Sequence, residues 1–231
     1  MKLDIYRIDT SLAGKAFRIV RKPDLPTLAT TGMLGDNLFQ AIRDYFSGDN
    51  FYILSREEEI KRFEFPLKRH KSKKIYYIRH PHKDRELIES AKFFEYVTRE
   101  QLAEIISYIR SYIDVSYIRI ERKSGIEFNT FINSPIDDIP VEGKVEINFS
   151  SKDILEIKCP NKLKPSERKR NFVWIDEFPG IKELVDCFNG GEASRYIERS
   201  QDYGLTIKIA DRLGIGSKWI KGYKLKIDFQ G

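Results

Sequence analysis

The segment "LEIKCP", residues 155–160, contains the pair of side chains best suited to chemistry. Glu156 and Lys158 stand two positions apart in an apolar run that favours a β-strand. Because strand side chains alternate between faces, both point to the same side. A carboxylate can hold a divalent cation that activates water, and a nearby lysine can orient that water or stabilise developing negative charge. The pair is a candidate site for phosphodiester hydrolysis, and the competing interpretation is the solvent-exposed face of an ordinary strand.

A second carboxylate comes from the preceding predicted strand, "KVEINF" at 144–149. If residues 150–152 close a hairpin, the apolar faces of the two strands agree in a register that places Glu146 directly opposite Glu156. Like charges so placed cost about 0.2–1 kcal/mol. We therefore expect Lys158, solvent or a divalent cation to offset them. Hard oxygen ligands suit Mg²⁺, so Glu146 and Glu156 are the predicted metal ligands.

These residues resemble the motif of the PD-(D/E)xK nuclease superfamily, in which an acidic residue on one strand is followed by Glu-x-Lys on the next. The similarity is closest to the exonuclease branch used by phage recombination systems, and it covers about 20 residues. It implies a Mg²⁺-dependent nuclease with Glu146, Glu156 and Lys158 in the catalytic roles, and such an enzyme would suit antiviral (phage) defence. Asp137 or Asp138 could replace Glu146 as the upstream acid.

The positive charge of the chain is clustered. The net charge is +6 and the pI is about 9.1. Residues 61–85 hold ten basic and two acidic residues, 162–170 hold five and one, and 205–231 hold six and two. Such clusters can neutralise phosphates, so nucleic acid is the predicted partner. The predicted nucleic-acid-binding residues are Lys68, Arg69, Lys71, Lys73, Lys74, Arg168, Lys169, Arg170, Lys218, Lys221 and Lys224.

The C-terminal segment "LTIKIADRLGIGSKWIKGY" resembles a helix-turn-helix. Its spacing of Ala210, Gly214 and Ile220 is similar to the small residue, turn glycine and β-branched residue of that motif. The resemblance implies that Lys218, Lys221 and Lys224 face DNA. The alternating sequence "YKLKIDF" that ends the chain favours a β-ribbon instead.

The pattern of elements predicts an α+β fold with a mixed or antiparallel sheet, a long central helix at about 99–113 and flanking helices. The central helix carries the apolar stripe Leu102, Ile105, Ile106, Ile109 and Ile113, and Thr98 with Gln101 forms a capping box. Predicted strands are 2–8, 16–21, 51–54, 75–78, 115–122, 144–149, 153–159 and 171–178. Further helices are predicted at 37–46, 181–188 and 193–201.

Domain organisation is predicted from the Pro- and Asp-rich stretch between two structured regions, 1–124 and 143–231, with one single domain as the alternative. The first residues alternate in polarity like a strand and not like a signal peptide. Two cysteines give no disulfide framework, and no run reaches the roughly 20 apolar residues of a membrane span. A cytoplasmic protein is expected.

Three functions are consistent with this sequence. The first is a metal-dependent nuclease. The second is a non-catalytic DNA-binding regulator that uses residues 205–224. The third is an interaction or structural protein without a nucleic-acid role. The sequence does not indicate the oligomeric state.

Overall fold

The computed structural model describes eight stretches of the chain: 3–8, 50–54, 57–67, 76–124, 146–151, 153–163, 171–200 and 222–231. The described residues fall into two compact units, one that runs up to Phe93 and one that starts at Phe94. No helix in these stretches has the length and hydropathy needed to cross a membrane.

The first unit contains a four-stranded sheet. Its strands are β1 (Asp4–Ile8), β2 (Asn50–Leu54), β3 (Tyr76–His80) and β4 (Lys83–Glu89), in the order β2-β1-β3-β4. The pairing of β1 with β2 is parallel and the other two pairings are antiparallel, so the sheet is mixed. A short helix, α1 (Glu57–Ile60), follows β2. The buried side chains of this sheet include Ile5, Ile8, Tyr77, Ile78, Leu87 and Ile88.

The long predicted helix is confirmed as α2 (Phe93–Tyr112), which follows a 3-10 turn at Ser90–Lys92. All five residues of its predicted apolar stripe are buried: Leu102, Ile105, Ile106, Ile109 and Ile113. The predicted capping box is wrong, because the helix begins at Phe93 and Thr98 and Gln101 lie in its interior. Gln101 accepts a hydrogen bond from the Tyr223 hydroxyl instead (2.9 Å).

The second unit contains a five-stranded sheet in which every pairing is antiparallel. Its strands are β5 (Tyr117–Ser124), β6 (Glu146–Ser151), β7 (Ile154–Lys158), β8 (Glu192–Ser200) and β9 (Gly222–Gln230), in the order β6-β7-β5-β9-β8. Its apolar face contacts α2 at Tyr223, whose hydroxyl donates a hydrogen bond to Gln101. The buried residues of that face are Ile118, Ile120, Leu155, Ile157, Ile197, Tyr223, Leu225, Ile227 and Phe229. The two sheets and the long helix confirm the predicted α+β class.

Two predicted elements of the second unit are wrong. Residues 193–201 were predicted as helix, but β8 pairs with β9 at all nine of its positions, so the sheet ladder overrides local helix propensity. Residues 171–178 were predicted as a strand, but they contain a 3-10 turn at Ile175–Glu177. Glu104 in α2 accepts hydrogen bonds from the backbone N–H groups of Trp174 and Ile175, so these two donors do not pair in a strand ladder.

The helix predicted at 181–188 is confirmed as α3 (Pro179–Asp186). Gly190 and Gly191 follow it with φ of +100° and +86°, a conformation that favours glycine and that turns the chain into β8. The alternating C-terminal sequence is confirmed as β9. Predictions for residues 16–21 and 37–46 lie outside the described stretches.

Candidate functional site

The hairpin that carries the candidate residues forms, but its predicted register is wrong. Glu146 lies opposite Lys158, and Asn148 lies opposite Glu156. The pairing shifts between Phe149 and Ser151, so the strands are offset by two residues from the predicted alignment. Side-chain parity is preserved by a shift of two, and Glu146, Glu156 and Lys158 therefore still share one face. The like-charge pair disappears, and with it the expectation that a cation must offset a direct Glu146–Glu156 repulsion.

The two faces of β7 divide as predicted. Leu155 and Ile157 are fully buried, Glu156 is half-buried, and Lys158 is exposed. Cys159 follows in the core, where burial raises the pKa of its thiol and keeps it protonated. The strand therefore places Glu156 and Lys158 on the face opposite the core.

Glu156 is positioned by the neighbouring strand β5. The Tyr117 hydroxyl donates a hydrogen bond to Glu156 Oε1 (2.9 Å). Burial and this hydrogen bond to a carboxylate both raise the pKa of Tyr117 above its ordinary value. The phenol is consequently a proton donor across the physiological pH range, and it fixes the orientation of the Glu156 carboxylate.

We call the side of this sheet away from the core the open face. Among the described residues it carries six carboxylates and five basic side chains, so the net charge of these strands on that face is close to zero. Its charged residues are Glu146, Glu156, Lys158, Arg119, Glu121, Lys123, Asp228, Lys226, Lys224, Glu198 and Glu192. A face of this composition does not attract a polyanion by net charge, and binding there depends on how individual cations are partnered.

Three of the five basic side chains form ion pairs with carboxylates on the same face. Lys123 Nζ lies 2.5 Å from Glu121 Oε1, Lys224 Nζ lies 2.8 Å from Glu198 Oε2, and Lys226 Nζ lies 2.8 Å from Asp228 Oδ1. The hydrogen bond from Lys123 lowers the pKa of Glu121. Burial alone would raise the pKa of Asp228, but hydrogen bonds from Lys226 and Ser194 outweigh it and lower that pKa.

The other two cations, Lys158 and Arg119, flank Glu156. Lys158 makes no ion pair with any residue in the described stretches. Arg119 lies directly opposite Glu156 on β5, and its nearest recorded ion-pair distance is 3.9 Å, from Nη2 to Glu121 Oε2. Its Nε is buried and has no hydrogen-bond partner within that same part of the chain. Of the five cations on this face, the two with the weakest ion pairs in the described stretches therefore lie beside the candidate acid.

The carboxylates of Glu146 and Glu156 could bind a divalent cation, and they would supply only two protein ligands. Glu146 and Glu156 are diagonal neighbours across the hairpin, about 7–8 Å apart at the backbone, a distance that two glutamate side chains can span. Within the described stretches, neither belongs to a group of three His, Cys, Asp or Glu ligand atoms that lie within 4.8 Å of one another. Mg²⁺ commonly keeps several waters and takes one or two carboxylates, so these two residues fit it.

The remaining predicted binding residues are mostly outside the described stretches. This holds for the alternative acids Asp137 and Asp138, for the helix-turn-helix residues Ala210, Gly214 and Ile220, and for every predicted nucleic-acid-binding residue except Lys224. Lys224 lies in β9 and pairs with Glu198, so the predicted placement of this residue on a DNA-reading helix is wrong.

Sequence reasoning missed Tyr117 and Arg119. Both lie in "YIRIERK", which alternates like a strand and was correctly predicted as one. Their role depends on the pairing of β5 with β7. The sequence does not reveal this pairing, because β7 comes more than 30 residues later in the chain. Only the parity of Tyr117, Arg119 and Glu121 on one face could have been used as a signal.

Comparison with known proteins adds no further constraint. No family model matches the chain, and neither a curated protein nor a solved structure matches it. The interpretation of this face therefore depends on its own geometry.

Proposed function

We propose that this protein hydrolyses phosphodiester bonds in nucleic acid at Glu146, Glu156 and Lys158, with a divalent cation such as Mg²⁺ as cofactor. The observation that supports the proposal most is the arrangement around Glu156. A half-buried carboxylate is oriented by a tyrosine hydroxyl, a second carboxylate lies diagonally from it, and an exposed lysine without an ion-pair partner in the described stretches shares the face.

Each side chain has a distinct role in this proposal. Glu146 and Glu156 would hold the cation, which when bound supplies an activated water and stabilises negative charge on the phosphate. Tyr117 keeps its proton and holds Glu156 in one orientation. Lys158 projects from the same strand with its ammonium group available to a phosphate oxygen, where negative charge grows in the transition state.

The test is cleavage of linear DNA, plasmid DNA and RNA with Mg²⁺ or Mn²⁺. Glu156→Gln and Lys158→Met should each lower the rate by about 100-fold or more, since each removes charge stabilisation aimed at the reacting phosphate. EDTA should abolish cutting. Glu146→Gln should raise the Mg²⁺ concentration needed for half-maximal activity, because one metal ligand loses its charge.

The open face supplies a matched control. Glu121 and Lys123 form a second Glu-x-Lys on the neighbouring strand, but they bind each other. Glu121→Gln and Lys123→Met remove the same charges from the same face and should leave cutting within about twofold of wild type. Equal losses in both pairs, or no cutting of any substrate by the wild type, would refute the proposed function.

A further inference from the structure

We propose that Arg119 is a substrate-binding residue of this face that grips a backbone phosphate of the nucleic acid beside Glu156. The inference rests on the proposed function for its choice of ligand. It adds a residue that belongs to no recognised motif in the sequence and that lies on β5, outside the hairpin that carries the candidate acids.

The position of Arg119 in the sheet supports this role. Its register partners are Glu156 on β7 and Asp228 on β9, so it stands in the row of residues that contains the candidate acid. Lys158, one row away on β7, is its diagonal neighbour, at about 7–8 Å between backbones. Two cations at that separation, on either side of one carboxylate, can contact oxygens of the same phosphate or of adjacent phosphates.

The state of its guanidinium group supports the same role. The side chain is 38% exposed, so part of it is accessible to solvent. Asp228 is already engaged by Lys226 and Ser194, Glu156 is oriented by Tyr117, and the recorded Glu121 contact is long at 3.9 Å. The buried Nε makes no hydrogen bond to the described residues. Among the described residues, Glu121 is the carboxylate recorded within 4 Å of the Arg119 guanidinium, and Asp228 adds a longer-range electrostatic attraction. The five donors of an arginine held this loosely can bind a planar or tetrahedral oxyanion bidentately.

Competing uses of Arg119 explain the structure less well. A structural arginine in a sheet normally forms a short ion pair, as Arg122 does with Asp153 (2.6 Å from Nε to Oδ1). Arg122 is on the same strand, three positions away and on the opposite face. Arg119 therefore differs from Arg122 in having no carboxylate of the described residues at short ion-pair distance.

The test is binding of a short fluorescein-labelled DNA duplex in EDTA, measured by fluorescence anisotropy over a range of salt concentrations. Arg119→Met should weaken binding by about tenfold and reduce the slope of log K against log salt by about one, as loss of one phosphate contact predicts. Arg119→Lys should recover part of the affinity, because it restores the charge without the fork of donors.

Lys226→Met is the matched control, since it removes one positive charge from the same face at a residue that is already paired with Asp228. It should change affinity by less than about twofold. Thermal unfolding of the Arg119 variants should match wild type, which separates binding from folding. Equal effects of Arg119→Met and Lys226→Met, no effect of Arg119→Met, or no binding by the wild type would each overturn the inference.

The EDTA condition keeps this result apart from the proposed function. A wild-type protein that binds the duplex but never cuts it with a metal would refute hydrolysis and leave the Arg119 comparison readable. Where cutting does occur, Arg119→Met should raise KM with little change in kcat, because a phosphate grip acts equally on the ground state and the transition state.

Discussion

The tripeptide Glu-x-Lys occurs twice on the open face with different outcomes. At Glu121 and Lys123 the two side chains bind each other, which lowers the pKa of Glu121. At Glu156 and Lys158 the carboxylate takes a hydrogen bond from Tyr117, and the lysine has no ion pair in the described stretches. The motif is the same, so the surroundings of each pair decide whether the lysine binds the glutamate two residues before it.

Tyr117 is the residue by which that difference can be tested. Its raised pKa means that the folded protein prefers the protonated phenol, so its hydrogen bond stabilises the fold below pH 10. That contribution is lost as the pH rises through the folded pKa. We expect Tyr117→Phe to lower the free energy of unfolding by about 1 kcal/mol at neutral pH, and by progressively less above pH 10.

Urea denaturation of wild type and Tyr117→Phe at several pH values measures this effect. The ultraviolet difference titration of the two proteins should also show one tyrosine that ionises above pH 10. The assigned hydrogen bond would be contradicted if the difference in unfolding free energy between wild type and Tyr117→Phe grew with pH. It would also be contradicted if the tyrosine absent from the variant's titration ionised below pH 10.

At the scale of elements, the buried carboxylate of Glu104 joins α2 to the segment before α3. It accepts the backbone N–H groups of Trp174 and Ile175. Glu104→Ala would leave two buried donors without a partner, and we expect a loss of about 2–4 kcal/mol in the free energy of unfolding. Glu104→Gln retains an acceptor oxygen and should cost about half as much.

The control for this measurement is Glu183→Ala on α3. Its side chain is 60% exposed and pairs with Arg195, and exposed ion pairs contribute about 0–1 kcal/mol. Urea denaturation of the three variants checks the order Glu104→Ala, Glu104→Gln, Glu183→Ala. A Glu104→Ala protein as stable as the Glu183→Ala protein would show that Glu104 does not hold this segment.

The elements predicted correctly from the sequence are those in which the spacing of apolar residues matches the face that is buried. The apolar stripe of α2 and the alternation of β7 and β9 are examples, since one pattern determines both the element and its buried face. The prediction failed where a distant partner decided the outcome. Residues 192–200 become a strand because β9 pairs with them, and 171–178 become a turn because Glu104 binds their backbone.

The register of the candidate hairpin failed for a related reason. Both alignments place the same apolar residues on one face of the hairpin, because a shift by two preserves side-chain parity. The sequence could identify the face shared by Glu146, Glu156 and Lys158, but it could not decide which residue lies opposite which. The offset between Phe149 and Ser151 sets that choice.

This register can be tested by a double-mutant cycle. Cross-strand neighbours of opposite charge are coupled by about 0.2–1 kcal/mol. Glu146→Gln and Lys158→Gln should therefore show a favourable coupling in the free energy of unfolding, at the low end of that range, because the two residues are register partners that form no ion pair. The combination of Glu146→Gln with Glu156→Gln should show little coupling. Strong unfavourable coupling between the two glutamates would restore the directly opposed alignment.

At the scale of the whole molecule, positive charge and candidate chemistry lie in different parts of the sequence. The open face is close to neutral, whereas the net charge of +6 comes mainly from clusters such as residues 61–85. If the protein acts on nucleic acid, the basic clusters should supply most of the affinity. The open face should then act on a nucleic-acid strand that is bound mainly by the basic clusters.

A pair of charge-matched variants tests this division of roles. Changing Lys71, Lys73 and Lys74 to Gln should weaken duplex binding in EDTA and flatten the slope of log K against log salt by about 2–3, because each lost phosphate contact contributes about 0.9. Changing Lys123, Lys224 and Lys226 to Gln removes the same charge from cations that are already paired, so the slope should fall by less than about one. Equal slopes for the two variants would mean that net charge alone, and not the position of the basic cluster, governs attraction to nucleic acid.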